Sequence, residues 1–135
     1  MKGQEIFDRV RVGSVDAFQG MEFDVIFLSV VRTHEKVPVV NREILGMDVS
    51  GMDEESEEYK KWAAYKEAIG MKNYGFLTSE NRLCVALSRQ KKLLIVVGDA
   101  SIFNSADWSL IAEKCVPAMK NFYDLCKAKG AVINA

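Results

Sequence analysis

A nearly continuous apolar run at residues 23–31, FDVIFLSVV, most constrains what this chain can fold into. Seven of its nine residues are apolar, and four are Val or Ile. Such short, β-branched runs are typical of strands that are buried on both faces, as in parallel sheets covered by helices. Residues 9–15 contain three valines and predict a second strand before it. Because small and polar residues separate the two, residues 11–32 predict a strand, a turn and a strand.

The length, the net charge and the apolar content of the chain limit the functions that it can have. Its 135 residues correspond to about one domain. The net charge of −1 gives no overall attraction to nucleic acids or anionic lipids, so any nucleic-acid contact has to come from a local patch. No apolar run approaches the roughly 18 residues of a membrane helix, and the N-terminus lacks the apolar core of a signal peptide.

The cysteines and the single histidine favour a protein without a metal site of its own. Cys84, Cys115 and Cys126 match no metal-ligand spacing and are expected to be free thiols in a reducing cytoplasm. His34 is alone and cannot form a histidine-based metal site, so we expect it to lie in a loop. These observations predict a cytoplasmic location.

The remaining elements are predicted from periodicity and capping residues. Residues 33–51 predict a loop with limited regular structure. The further elements are a helix at 53–69 that stops at Gly70, a helix from Thr78 or Ser79 to about Gln90, a strand at 92–98, a short turn at 101–103, a helix at 108–115 that Asp107 caps, and a helix at 118–129. This order predicts an α/β layer with few strands.

Helical spacing also predicts which side chains face inward. In the helix at 53–69 the inward stripe is expected to contain Tyr59, Trp62, Ala63 and Ile69. In the helix that ends near Gln90, the inward residues are expected to be Leu83, Leu87 and Cys84.

The turn at residues 14–22 is the first candidate site. It carries two carboxylates, an amide, a hydroxyl and a glycine, and α/β sheets place binding chemistry in loops at strand ends. A purely structural interpretation is also open, in which Ser14 and Asp16 bond local amides and Gly20 permits a tight backbone path. The basic residues after the second helix can likewise neutralise its terminal carbonyls.

Taken together, two blocks of the chain resemble a known family. VGSVDAFQGMEFDVIFLSVVR resembles motif V of superfamily 1 helicases, and GFLTSENRLCVALSRQKKLLIVVGD resembles their motif VI with its following strand. The branch that it resembles is the up-frameshift type, which translocates on DNA or RNA. The matching parts cover about residues 9–32 and 75–99. The resemblance implies a RecA-like, P-loop NTPase-type α/β domain with three layers and a mostly parallel sheet, truncated at its N-terminal side, with an insertion at about 33–74.

The resemblance also assigns roles to residues. Arg89 is implied to be the arginine finger, because a fixed guanidinium stabilises the γ-phosphate of ATP as it leaves. Gln19 and Gly20 are implied to approach the γ-phosphate or the nucleic acid, and Glu22 to bond the ribose or to organise the finger. The nucleic-acid contacts that the resemblance implies are Ser14, Asp16 and Arg82.

Two departures from the family pattern limit these expectations. Cys84 stands where the family usually has asparagine. The chain also has no G-x-x-x-x-G-K-S/T loop, and Asp53-Glu54 does not follow a buried strand as a magnesium-binding pair would. We therefore expect ATP and Mg²⁺ to be bound mainly by a first RecA-like domain of the same parent protein, and the isolated chain to be inactive with no cofactor of its own.

The expected function is that of the C-terminal motor domain of an ATP-dependent helicase that acts on single-stranded DNA or RNA. The alternative is a RecA-like module without turnover that binds nucleic acid or protein. An unrelated nucleotide-binding enzyme would need a phosphate loop, which the sequence lacks. A truncated sheet exposes an edge strand, so self-association of the chain is also expected.

Overall fold

A computed structural model describes residues 9–30, 32 and 38–134 of the chain. This part contains two strands, six α-helices and two 3₁₀ turns. In chain order they are the 3₁₀ turn Val15–Phe18, β1 Phe23–Ser29, α1 Arg42–Leu45, α2 Glu57–Tyr74, the 3₁₀ turn Gly75–Thr78, α3 Glu80–Leu87, β2 Gln90–Val97, α4 Ser101–Asn104, α5 Ser109–Cys115 and α6 Pro117–Ala128. The loop expected around His34 lies outside the described residues.

The two strands form a parallel pair, which confirms the predicted α/β class. Val25 lies beside Leu93 and Ser29 beside Val97, with an irregularity in register between Phe23 and Val25. Both strands occur where the apolar runs predict them, although β2 begins two residues earlier than expected. A parallel pair needs a long crossover, and here the crossover contains α1, α2 and α3.

The core lies between one face of this sheet and the helices. Leu28 of β1 is buried, and Leu94 and Val96 of β2 pack against the same cluster. At its centre Tyr74 is fully buried, makes an edge contact with Trp108 at 5.9 Å between ring centroids, and donates a hydrogen bond from its hydroxyl to the carbonyl of Ile102. The last turn of α2 is therefore part of the core rather than a surface addition.

The opposite face of the sheet is exposed. Val25 is 45% exposed, Phe27 71% and Leu93 48%. The apolar run predicts burial on both faces, and that expectation is wrong for this chain. The reason is that the described helices pack against the face that carries Leu28 and Val96.

The strand predicted at residues 9–15 is not present. Residues 9–14 have no regular structure, and Val15 begins the 3₁₀ turn. Val10 is 58% exposed and Val12 is 94% exposed, so neither valine packs on a neighbouring strand. Valines favour a strand only where a partner strand and a packed face are available.

Helix α2 begins and ends later than its sequence predicts. The Ser56 hydroxyl accepts a hydrogen bond from the Tyr59 amide at 3.2 Å and caps the first turn. Gly70 does not stop the helix. A Cβ atom on it would lie 3.1 Å from the Cγ2 atom of Thr78, so a glycine here permits close packing. Trp62 faces inward, as predicted, and is 8% exposed.

Helix α3 confirms part of its predicted inward face. Leu83 is buried and Leu87 packs against the core, but Cys84 is exposed. Cys84 follows Leu83 by one residue and therefore points about 100° away around the helix.

The C-terminal elements also differ in detail from their predictions. Residues 101–103, predicted to be a turn, lie in α4. Helix α5 begins at Ser109 with Trp108 at its N-cap, while Asp107 forms an ion pair with Arg42 at 3.5 Å. Pro117 occupies the first turn of α6, where a missing amide proton costs nothing.

Candidate phosphate-directed site at the start of the strands

Both motif-bearing segments lie at one edge of the sheet. The turn at 14–22 leads into β1, and Arg89 directly precedes β2. Because paired parallel strands run in the same direction, both segments lie at the edge where β1 and β2 begin, here called the amino edge. The Phe23 amide donates a hydrogen bond to the Arg89 carbonyl at 2.9 Å. The backbone of Arg89 therefore lies beside the strand that follows the Gln19-Gly20 bend.

The 14–22 turn is held in shape by its own backbone. The Ala17 amide donates to the Ser14 carbonyl and the Met21 amide to the Phe18 carbonyl, both at 3.1 Å. Gly20 has a φ angle of +79°, a conformation that side chains other than glycine rarely adopt. The chain can therefore reverse at Gly20 and enter β1 within three residues.

Three carboxylates of the amino edge are paired with three cations. Asp16 lies 3.3 Å from Arg82, and Asp24 lies 3.2 Å from Lys92. The Glu22 carboxylate is directed to Lys91, at 4.0 Å, rather than to Arg89. Each of these side chains is at least half exposed, so each pair contributes little to stability. Their main effect is to neutralise the positive charges around Arg89.

Arg89 itself has no carboxylate partner in the described part of the chain. Its Nε and Nη2 atoms lie 3.3 and 3.1 Å from the Ser88 hydroxyl oxygen, which leaves the positive charge uncompensated. The residue is half-buried, while the contacts of its guanidinium with Ser88 are exposed. An arginine keeps its proton at any physiological pH and presents several donors in a planar fork. This guanidinium is suited to bind a phosphate supplied from outside.

The other predicted site residues have different surroundings. Gln19 is exposed beside Gly20 in the same bend. Ser14 occupies the N-cap position of the 3₁₀ turn, but its side chain makes no capping bond. Asp16 and Arg82, both assigned to nucleic acid by the resemblance, are paired with each other.

Sequence reasoning missed the pairing roles of Lys91 and Lys92. Their only sequence signal is a run of basic residues just before an apolar strand, which also fits charges at a helix C-terminus. Which carboxylate each lysine faces depends on the alignment of β1 with β2, and a single sequence does not contain that alignment.

The described residues offer no site for a metal ion. They contain no group of three or more His, Cys, Asp or Glu side chains arranged to hold one. The described residues therefore do not provide the ligand set of a Mg²⁺ ion. The described helices also include none that is long and apolar enough to span a bilayer.

A cleft of about 380 Å³ lies elsewhere, between α2 and the segments around α5 and α6. Trp62, Lys66 and Cys115 are among its lining residues, and none of the seven predicted site residues lines it. The candidate site is therefore separate from this cleft.

Comparison with known proteins decides the family. A family model described as an AAA domain matches residues 1–101, which is most of the chain. The chain therefore belongs to the AAA-domain family of superfamily 1 helicases. With this membership, the RecA-like, P-loop NTPase-type fold class is confirmed for the small α/β unit seen here.

Curated relatives of this helicase family agree with the assignment. The chain is 32% identical to "Putative helicase mov-10-B.2" of Danio rerio over 110 residues, which are 81% of this chain and 8% of that protein. It is 31% identical to "DNA polymerase alpha-associated DNA helicase A" of Saccharomyces cerevisiae over 69% of this chain and 8% of that protein. It is 30% identical to "Probable RNA helicase armi" of Drosophila melanogaster over 92% of this chain and 8% of that protein.

The helicase chain described here thus spans less than a tenth of the length of these relatives. No solved structure gives a significant match to it.

Proposed function

We propose that this chain is the part of a helicase motor that presents an arginine finger to ATP bound by another RecA-like domain. The observation that carries the proposal is the Arg89 guanidinium, which lacks a carboxylate partner among the described residues while the cations beside it are paired. A cation held in this way can interact with a phosphate without first breaking an internal ion pair.

The chemistry follows from the charge that develops in phosphoryl transfer. As the γ-phosphate leaves, negative charge spreads over its oxygens, and a positioned guanidinium lowers the energy of that state. Arg89 would supply the charge. Gln19 and the Gly20 backbone, in the bend before β1, would contact the same phosphate or the nucleic acid, since Gly20 has no side chain to prevent close approach. ATP would supply the phosphoryl group, and its binding loop would belong to the partner domain.

The other three residues contribute to the site in different ways. Glu22 would act on the site through Lys91, which it faces, and not by direct contact with Arg89. The Ser14 hydroxyl is exposed and makes no capping bond, so it can donate to a phosphate of single-stranded DNA or RNA. Arg82 can reach a nucleic-acid phosphate only by sharing its charge with Asp16.

The test uses a protein that joins this chain to a RecA-like domain with an intact phosphate-binding loop. Arg89→Ala is expected to lower nucleic-acid-stimulated ATP turnover by about 10³-fold or more, the usual contribution of an arginine finger. Arg89→Lys should restore little, because an ammonium lacks the planar fork. ATP affinity, measured with a fluorescent nucleotide, should change by less than about threefold if the finger acts mainly in the transition state.

Lys92→Ala is the matched control, because Lys92 is a cation of the same edge that is paired with Asp24. It should retain turnover close to that of the unmodified protein. Near-normal turnover in Arg89→Ala would remove Arg89 from the proposed role. If the unmodified joined protein has no ATP turnover while the chain still binds DNA, RNA or protein, the non-catalytic module is the better description.

Nucleic-acid binding by the chain alone is proposed to be weak, because the chain has a net charge of −1 and three cations of the amino edge are already paired with carboxylates. Its affinity for a single-stranded oligonucleotide, measured by fluorescence anisotropy, should fall with salt with a slope that corresponds to only one or two phosphate contacts. Tight, salt-resistant binding would contradict this proposal.

Self-association of the chain is also proposed. It would proceed through the exposed face of the sheet, which carries Val25, Phe27 and Leu93. Phe27→Lys should then lower the average mass in sedimentation experiments. An unmodified chain that stays monomeric at every concentration would refute this.

A further inference from the structure

The ion pair between Asp16 and Arg82 connects the two segments that lie next to Arg89. Asp16 belongs to the 3₁₀ turn and Arg82 to α3, and their Oδ2 and Nη2 atoms are 3.3 Å apart. The segment 16–23 then runs from the turn to β1, and the equally long segment 82–89 runs from α3 to β2. Their far ends are joined by the hydrogen bond from the Phe23 amide to the Arg89 carbonyl.

These two contacts close a loop of backbone around the candidate site. The Gln19-Gly20 bend lies on one side of the loop, and Ser88 with the Arg89 backbone lies on the other. A backbone hydrogen bond fixes the strand end, and the ion pair fixes the helix end. The turn also contacts α3 through packing, and its Val15 is half-buried against the core.

The other ion pairs of the amino edge do not make this connection. Lys92 and Asp24 pair one strand with the other, and Lys91 with Glu22 joins the start of β2 to the end of the turn. Among the ion pairs of the described residues, only Asp16 with Arg82 joins the 3₁₀ turn to α3.

We propose that Arg82 is a positioning residue that acts through Asp16 to hold the Gln19-Gly20 bend at a fixed place relative to Arg89. This inference rests on the proposed role of Arg89 at the phosphate of ATP. It differs from the nucleic-acid contact that the resemblance implies for Asp16 and Arg82, since here the two side chains bind each other. The pair is exposed, so its loss loosens the bend without unfolding the chain.

The first test uses the 135-residue chain itself and measures the hydrogen exchange of turn amides by NMR. The amides of Gln19 and Met21 donate within the turn and report on its opening. In Arg82→Gln and in Asp16→Asn we expect their exchange to be about threefold to fivefold faster, the range that corresponds to an exposed ion pair. The reversed pair Asp16→Arg with Arg82→Asp should return exchange to within about twofold of the original rate, because it restores the attraction.

Lys92→Gln is the control, because it breaks a comparable exposed ion pair of the same edge. It should leave the exchange of Gln19 and Met21 unchanged. Single variants that exchange at the original rate, or a reversed pair that fails to restore it, would overturn the proposal.

The second test measures ATP turnover in the joined protein described above. Arg82→Gln should lower kcat about threefold to fivefold while KM for ATP changes less than about twofold, and the reversed pair should restore kcat. Normal kcat in Arg82→Gln, together with an inactive Arg89→Ala, would overturn the positioning role alone. Normal turnover in Arg89→Ala would instead refute the proposed function, and the exchange measurements on the chain would then decide whether the ion pair holds the bend.

Discussion

Gly75 is the position where a single methyl group is expected to have the largest local effect. It follows the last residue of α2 and begins the segment that leads into α3, and it is buried. Its φ angle is +56° and its ψ angle is −125°, a combination that residues with a side chain rarely adopt. A Cβ atom on Gly75 would also collide with the Arg32 guanidinium, whose Cζ atom would lie only 2.9 Å away.

The cost comes mainly from the backbone. Holding a residue other than glycine in such a backbone conformation costs about 1–3 kcal/mol. The Arg32 guanidinium is the far end of a flexible side chain, so moving it aside adds little. Gly75→Ala should therefore lower the free energy of unfolding by about 1–3 kcal/mol, a large share of the roughly 5–15 kcal/mol typical of a domain.

The assay is urea unfolding followed by tryptophan fluorescence, since Trp62 and Trp108 are both buried and change environment on unfolding. With a slope of about 1–3 kcal/mol per molar urea, the midpoint should fall by about 1 M. Gly130→Ala is the matched control, because Gly130 has a φ angle of +68° but no atom within 4 Å of an added Cβ. It should show the cost of a positive φ angle alone.

The double variant Arg32→Ala with Gly75→Ala tests the contribution of the contact, because it removes the guanidinium that the methyl group would meet. It should lose about the sum of the two single losses, because the guanidinium can move aside at little cost. A Gly75→Ala variant that is no less stable than Gly130→Ala would refute the reasoning.

Two further predictions concern the core. Leu83→Ala should cost about 2–5 kcal/mol in urea unfolding because Leu83 is 2% exposed, whereas Leu125→Ala, at a position that is 57% exposed, should cost less than about 1 kcal/mol; equal losses would contradict the assigned burial. Burial raises the pKa of the Cys115 thiol above its ordinary value of 9.0 and the pKa of the Tyr74 hydroxyl above its ordinary value of 10.0. Both groups are largely protonated in either state below about pH 8, and above it the unfolded chain loses these protons first, so stability should fall as the pH rises from about 8 through 11. The fall in the urea midpoint should be smaller in Cys115→Ala, and a constant midpoint across this range would contradict the effect.

Local patterns in the sequence determined most of the regular elements. The apolar runs of β1 and β2 and the spacing of α2, α3 and α6 each occur within a short segment, so each can be recognised without knowledge of the rest. The order of residues around Gln19, Gly20 and Arg89 was also sufficient to indicate the helicase family that the family model identifies.

Tertiary structure decided how these elements pair, which of their faces are buried and which charges meet. The valines at 9–15 have no partner strand, and half of the apolar run in β1 faces outward because the described helices pack against the other face. Asp16 meets Arg82 only because β1 and β2 are adjacent and parallel, which brings together residues that are far apart in the chain. The same pairing leaves Arg89 as a cation without a carboxylate partner in the described residues. Such charge compensation depends on distances in space, and the order of residues along the chain does not contain them.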